Sequence, residues 1–147
     1  MKTLLLLSFV LALTSCNRYS SSTERKQLKK AYISEFKMTY FKTLLLTAYN
    51  NSESIKNIID KDASSFAEPI LSLDDIQIIN QNVGTDNKIM ITDSVNSYNK
   101  AEGAQGKSVF SFAINKYNSK SLDRLAKKRY KGYRKLEKDF EKKLRKK

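Results

Sequence analysis

The stretch "LKKAYISEFKMTYFKTLLLTAY", from Leu28 to Tyr49, repeats apolar residues with the period of an α-helix. The face that this period defines comprises Leu28, Tyr32, Phe36, Tyr40 and Leu44 at intervals of four, and beside them Ile33, Phe41, Leu45 and Ala48. The opposite side is basic in its early turns, at Arg25, Lys26, Lys29, Lys30 and Lys37. This division between apolar and charged faces is typical of an amphipathic helix. The stretch therefore predicts a long helix with a wide buried stripe.

Signals on both sides of this stretch predict where helices begin and end. Ser21 and Glu24 have the spacing of a capping box, which predicts a helix start, and Asn50-Asn51-Ser52 predicts its end at Tyr49. The segment "KIMIT", residues 88–92, could be helical or a short strand, although no partner strand is evident. Further helices are predicted over 53–60, from a cap at Ser72 to Gly84, from a cap at Asp86 through Tyr98, over 107–117, and from a cap at Ser119 or Ser121 to the chain end.

The apolar residues at helical spacing in these segments are the predicted core. They are Ile55, Ile58 and Ile59; Leu73, Ile76, Ile79 and Val83; Ile89, Met90, Val95 and Tyr98; Val109, Phe110, Ala113, Ile114 and Tyr117; and Leu122, Leu125, Ala126, Tyr130, Tyr133, Leu136, Phe140 and Leu144. With 4 Gly and 1 Pro, the chain offers few turns. We therefore expect an all-α fold, a compact bundle of five or six helices with a basic C-terminal helical extension.

The first residues of the chain have the layout of a secretory signal. Lys2 supplies a positive charge, residues 4–13 are apolar except for Ser8, and small residues follow. This run is too short for a membrane-spanning helix, which takes about 20 residues. The segment Leu13-Thr14-Ser15-Cys16 resembles the bacterial lipobox, in which the cysteine is acylated and the peptide bond before it is cut. A plain secretory signal with an incidental cysteine is the alternative.

The lipobox resemblance implies a location and a division of the chain. Cys16 would carry the lipid, and Asn17 resembles the neutral residue that lets lipoproteins leave the inner membrane. The expected location is therefore the outer membrane, lipid-anchored and facing the periplasm. The resemblance thus implies a signal peptide (1–15) and a lipidated tether (16–23), and the apolar periodicity and charge distribution add a helical domain (24–131) and a basic helical tail (132–147).

Composition excludes most catalytic chemistry. The chain has no histidine, so Ser-His-Asp and Cys-His catalysis and histidine metal ligands are excluded, and acylated Cys16 would leave no thiol nucleophile. No Asp or Glu lies in an apolar sequence setting that would raise its pKa for glycoside hydrolysis. The spacing from Asp60 to Leu71 lacks the glycine and the glutamate of a calcium loop. We therefore predict that the protein is not an enzyme and has neither a metal site nor a cofactor.

The net charge of +13 is concentrated near the C-terminus. Residues 127–147 contain 12 basic and 3 acidic residues, whereas residues 50–124 contain 8 basic and 10 acidic ones. An exported protein rarely meets nucleic acid, so no nucleic-acid partner is expected. The tail could instead lie on anionic headgroups, where each Lys or Arg contributes about 1 kcal/mol. It could equally be a solvated helix whose apolar stripe covers part of the body.

Two stretches resemble a known family. "YFKTLLLTAYNNS", Tyr40 to Ser52, and "INKYNSKSLDRLAKK", Ile114 to Lys128, are similar to segments of the amidase-immunity proteins of type VI secretion. The resemblance covers roughly residues 24–130. It implies a small exported all-helical protein that binds and blocks a papain-like amidase effector, an enzyme that cuts peptidoglycan peptides. This chain departs from the family in having no cysteine in its body and in its basic segment after Gly132.

An inhibitor needs a protruding element rather than a catalytic group. The segment "AEGAQGK" is the candidate for that element, because its glycines allow close backbone approach and its small side chains fit a narrow cleft. A plain connector between two helices is the alternative. Four acidic residues could meet a basic enzyme surface, although solvated helix faces explain them equally well: Asp74, Asp75, Asp86 and Asp93. The predicted contact residues are Ala101, Glu102, Gly103, Ala104, Gln105, Gly106 and Lys107.

The competing function is that of a structural or envelope-interaction lipoprotein. In that case the basic tail would be the functional part and would bind an anionic membrane surface. The two hypotheses differ in whether the protein has an amidase partner. The sequence leaves open whether the chain also forms a homodimer.

Overall fold

A computed structural model of the chain describes residues 2–62, 64, 70–96 and 106–145, with the backbone alone for residues 2–21, 95 and 96. The described residues form five α-helices and no strand, so the all-α prediction is confirmed. The helices are α1 (Lys2–Ala48), α2 (Glu53–Asp60), α3 (Leu73–Asn96), α4 (Val109–Tyr117) and α5 (Lys120–Leu144).

The chain divides into two compact units, Met1–Ala31 and Tyr32–Lys147. The first unit consists of the early turns of α1, which begins at Lys2. The helix start predicted at Ser21 is therefore wrong, and residues 16–23, predicted as a flexible tether, are helical. The physical reason is that no glycine or proline interrupts residues 1–48, and serines alone cost a helix little.

The second unit is built on the stripe that the sequence predicted in α1. Every fourth residue of that stripe is buried, namely Tyr32, Phe36, Tyr40, Leu44 and Ala48. The other buried apolar side chains are Ile79, Val83 and Met90 of α3, Val109 and Ala113 of α4, and Leu122, Ala126 and Tyr130 of α5. Within this unit, the core thus draws on α1, α3, α4 and α5.

Ring contacts relate α4 and α5 to α1. The contacting residue numbers fall along α1 while they rise along α4, so α4 runs antiparallel to α1, and α5 meets α1 nearer to the helix start, at Tyr32. The pairs are Tyr49 with Phe110, Phe41 with Tyr117, and Tyr32 with Tyr130, with ring centroids 6.0, 6.0 and 5.4 Å apart. Ser119 caps α5 as predicted, because its side chain accepts a hydrogen bond from the Leu122 N–H.

The predicted end of α1 is confirmed at the asparagine pair. Asn50 and Asn51 have φ of 55° and 54°, a left-handed conformation that asparagine tolerates better than most residues. The Asn51 N–H donates to the Leu46 carbonyl at 2.7 Å, which satisfies a carbonyl that the ending helix leaves free. The Lys107 ammonium donates to the Ala48 carbonyl at 2.9 Å, and a cation is favourable at a helix C-terminus.

The middle of the chain differs from the prediction. α3 continues through Gly84 and Asp86 to Asn96, so neither the predicted helix end nor the predicted cap exists, and "KIMIT" is helical. A helical glycine costs about 1 kcal/mol relative to alanine. Val83 and Met90 are buried on either side of it, and burial of two such side chains outweighs that cost.

Several predicted core residues are exposed instead. α2 has the predicted bounds, but Ile58 is 66% exposed, and Leu73 at the start of α3 is 88% exposed. A short helix such as α2, or the first turn of a longer helix such as α3, has too few neighbours to cover its whole apolar face. The other predicted core residues that are exposed are Ile76, Ile89, Phe110, Ile114, Leu136, Phe140 and Leu144. The side chain of Val95 and all of Tyr98 lie outside the described residues.

Candidate protein-binding surface

Two buried aspartates connect the helices of the second unit. Asp75, at the start of α3, is 1% exposed and accepts four hydrogen bonds. The donors are the Tyr32 hydroxyl at 2.8 Å, the Ser72 N–H at 3.0 Å, the Ser72 hydroxyl at 2.8 Å and the Arg129 Nε at 2.6 Å. The Asp75 N–H in turn donates to Ser72 Oγ at 3.2 Å, so the two residues cap α3 reciprocally, as the predicted cap at Ser72 requires.

These contacts decide the charge state of Asp75. Burial alone would raise its pKa, but hydrogen bonds from Arg129, Ser72 and Tyr32 to the carboxylate outweigh burial, and the pKa lies below its ordinary value. Burial and the hydrogen bond to Asp75 raise the pKa of Tyr32 above that of a free phenol. The aspartate is therefore ionised and the tyrosine neutral at neutral pH.

A second contact of the same kind lies three turns further along α3. The Tyr40 hydroxyl donates to Asp86 Oδ2 at 2.6 Å, and the Lys116 ammonium lies 2.9 Å from both carboxylate oxygens. Burial, then the hydrogen bond to Asp86, raises the pKa of Tyr40. Because Tyr32 meets Asp75 and Tyr40 meets Asp86, α3 runs parallel to this part of α1.

These networks correct one expectation from the sequence. Asp75 and Asp86 are buried and bound by donors, so they cannot form an exposed acidic surface for a basic enzyme; Asp74 and Asp93 are exposed. The sequence does contain one signal for these buried contacts, namely a tyrosine at two core positions of α1. A buried phenol needs a hydrogen-bond acceptor, which here is an aspartate.

An apolar surface lies where α1 and α4 meet. Two of its residues, Phe110 and Ile114 of α4, are 56% and 51% exposed, whereas the others are half-buried. A cleft of about 260 Å³ opens in it, lined by Met38, Phe41, Ile114 and Tyr117. We call the set the aromatic surface: Met38, Phe41, Tyr49, Phe110, Ile114 and Tyr117. Clustered exposed apolar side chains of this kind mark binding sites for other molecules.

Lysines border the aromatic surface. The Lys37 ammonium lies 4.5 Å from the centroid of the Tyr117 ring, a cation–π contact. Lys42, one residue after Phe41, pairs with Asp62 at 2.8 Å. Lys107, three residues before Phe110, binds the end of α1. Because Lys42 and Lys107 already have partners, Lys37 is the cation that an acidic group of a covering partner would meet.

The predicted contact segment is adjacent to this surface in the chain. Residues 101–105, Ala101 to Gln105, lie outside the described residues. Gly106 has φ of 106°, which favours glycine, and the Lys107 ammonium donates to the Ala48 carbonyl. The aromatic surface itself was not predicted as a site, because its residues have the spacing of a core.

The described part of the chain contains no cluster of three or more metal-ligating side chains. None of its helices, where described, has the length and apolar character needed to cross a bilayer. Cys16 lies within α1, and its side chain is outside the description.

Comparison of this chain with known protein families, with curated proteins and with solved structures finds no match. What the structure establishes is an all-α fold with two buried acid networks and one aromatic surface.

Proposed function

We propose that this protein is an exported lipoprotein that binds and inhibits a secreted peptidoglycan amidase. One observation carries the proposal. The two stretches that resemble amidase-immunity proteins, Tyr40–Ser52 and Ile114–Lys128, meet at the aromatic surface. The first contributes Phe41 and Tyr49, and the second contributes Ile114 and Tyr117.

The chemistry of the aromatic surface suits inhibition. Binding energy at protein interfaces concentrates in a few large side chains that become fully buried, with aromatic residues prominent among them. Phe110 and Ile114 project from one face of α4, and their neighbours Tyr49, Phe41 and Tyr117 are held by ring contacts. A partner would therefore meet anchors that are already ordered, so little conformational entropy is lost on binding.

The charge beside the aromatic surface indicates which charge the partner carries at the contact. The sequence offers exposed Asp74 and Asp93 for contact with a basic enzyme, but the charge beside the aromatic surface is positive, because Lys37 lies over Tyr117. We therefore propose that the contact on the amidase is apolar at its centre and acidic at its rim. An acyl chain on Cys16 would hold the inhibitor at the membrane near which the amidase acts.

The test is inhibition of an amidase encoded beside this gene. The purified enzyme digests peptidoglycan while the chain, with Cys16→Ser to prevent acylation, is titrated into the reaction. We expect stoichiometric inhibition by this chain. Phe110→Ser together with Ile114→Ser should weaken it by roughly 30-fold or more, since loss of a central anchor costs about 2 kcal/mol or more.

Leu73→Ser is the matched control, because Leu73 is also exposed but lies at the start of α3, where Asp75 contacts Tyr32 and not the aromatic surface. It should inhibit like the parent chain, and the melting temperature should stay the same in every variant. Undiminished inhibition by the double variant would place the contact elsewhere. Failure to inhibit any neighbouring amidase would remove the proposed function itself.

A further inference from the structure

The apolar stripe of α5 continues past the body of the protein. Its first half packs in the core through Leu122, Ala126 and Tyr130, and Tyr133 still contacts the Tyr32 ring with centroids 5.4 Å apart. Three further residues stand on the same face at spacings of three and four, and they are exposed. These are Leu136, Phe140 and Leu144, at 68%, 64% and 58% exposure.

This exposed part of α5 is strongly basic. Residues 131–145 contain 7 basic and 3 acidic side chains, Lys131, Arg134, Lys135, Lys138, Lys142, Lys143 and Arg145 against Glu137, Asp139 and Glu141. Arg134 pairs with Glu137, which leaves six basic and two acidic side chains in the segment outside that pair. Lysine and arginine stems are long enough to lie beside apolar surface while their charges stay in a polar layer.

The positive charge of this segment indicates which kind of molecule covers the stripe. A second copy would bring an equally basic helix against it, and like charges would oppose that contact. An anionic bilayer offers both an apolar layer for the three side chains and phosphates for the lysines. We propose that residues 131–145 of α5 bind the surface of an anionic phospholipid bilayer, with Leu136, Phe140 and Leu144 directed into it.

This property goes beyond amidase inhibition and does not depend on it. The segment is about 20 Å long, enough to lie along the headgroups, and its stripe ends where the contact with the body begins at Tyr133.

Vesicle co-sedimentation tests the proposal with the full chain carrying Cys16→Ser. Vesicles contain either phosphatidylcholine alone or equal parts of phosphatidylcholine and phosphatidylglycerol. We expect tighter binding to the anionic vesicles than to the neutral ones. Binding to the anionic vesicles should weaken in about 1 M salt, where the Debye length is about 3 Å. Replacing Leu136, Phe140 and Leu144 by Gln should weaken binding to anionic vesicles by about tenfold or more.

A second variant tests the charges separately. Lys138→Gln with Lys142→Gln should weaken binding by up to roughly 25-fold at low salt, about fivefold for each charge. The matched controls are Ile58→Gln with Leu73→Gln for exposed apolar residues, and Lys56→Gln with Lys88→Gln for exposed lysines. Both controls should bind like the parent, and circular dichroism should show unchanged helicity in all variants.

Three results would overturn the proposal. The first is equal binding of parent and triple Gln variant. The second is equal binding to both kinds of vesicle, because anionic lipid would then not be recognised. The third is a concentration-dependent dimer that the triple Gln variant loses, because a second copy would then cover the stripe.

Discussion

Replacement of Asp75 by asparagine should destabilise the fold far more than the same change at Asp74. Both residues lie in the first turn of α3, where a negative charge interacts favourably with the helix dipole, an effect of about 1 kcal/mol or less. They differ in burial, because Asp75 is 1% exposed and Asp74 is exposed. The difference between the two variants therefore isolates the buried network.

The size of this difference follows from the hydrogen bonds of the carboxylate. An asparagine in the same place keeps one acceptor oxygen, which serves Tyr32 and Ser72, but turns an NH2 donor towards the Arg129 Nε. A hydrogen bond to a charged group contributes about 1.5–3 kcal/mol, and here it is replaced by two opposed donors. Arg129 is about a quarter exposed and can turn to water, which limits the loss. We expect Asp75→Asn to cost about 2–3 kcal/mol.

Urea denaturation followed by circular dichroism measures both variants, with the free energy of unfolding extrapolated to water. A pH series adds a second readout. The pKa of Asp75 is lowered in the folded protein, so its contribution is present above the ordinary carboxyl pKa of about 3.9 and is lost as pH falls below it. The parent should lose more stability in acid than Asp75→Asn does. If the two asparagine variants unfold at the same urea concentration, the network does not stabilise the fold and the reasoning is refuted.

Two further changes test the fold. Gly84→Ala should raise the free energy of unfolding by about 1 kcal/mol, because Gly84 is inside α3 and a Cβ there meets no atom within 4 Å; a loss of stability in urea would instead mean that α3 ends there. The pKa values of Tyr32 and Tyr40 are raised by burial and then by their bonds to aspartate, so their contribution is present below the ordinary phenol pKa of about 10 and is lost as pH rises above it. Thermal melts should therefore show alkaline destabilisation, and Tyr32→Phe with Tyr40→Phe should be less stable at neutral pH but less sensitive to alkali.

The fold could be predicted where the sequence signal is local. The period of four in α1, the asparagine pair after Tyr49 and the cap at Ser119 each act within a few residues, and the structure has all three. Gly84 misled the prediction because glycine is also tolerated inside a helix when its neighbours are buried. Ser21 misled it because a capping motif can occur within a continuing helix.

The candidate site depends on long-range geometry, which no local pattern encodes. Phe110 and Ile114 have core spacing, and only the placement of α4 against α1 shows that their face has no covering helix among the described residues. Asp75 and Asp86 likewise resemble surface acids in the sequence. Their partners Arg129 and Lys116 lie 54 and 30 residues away, so burial could not be inferred from neighbours in the chain.

The two acid–phenol contacts also determine which alignment of α1 and α3 is allowed. The buried face of α1 repeats every four residues, so a slip by one turn would still put apolar side chains against apolar side chains. The same slip would remove the tyrosine hydroxyls from Asp75 and Asp86 together, and each lost hydrogen bond to a charged group costs about 1.5–3 kcal/mol. Hydrophobic packing thus drives α1 and α3 together, while the two tyrosine hydroxyls select the register in which each of them reaches its aspartate.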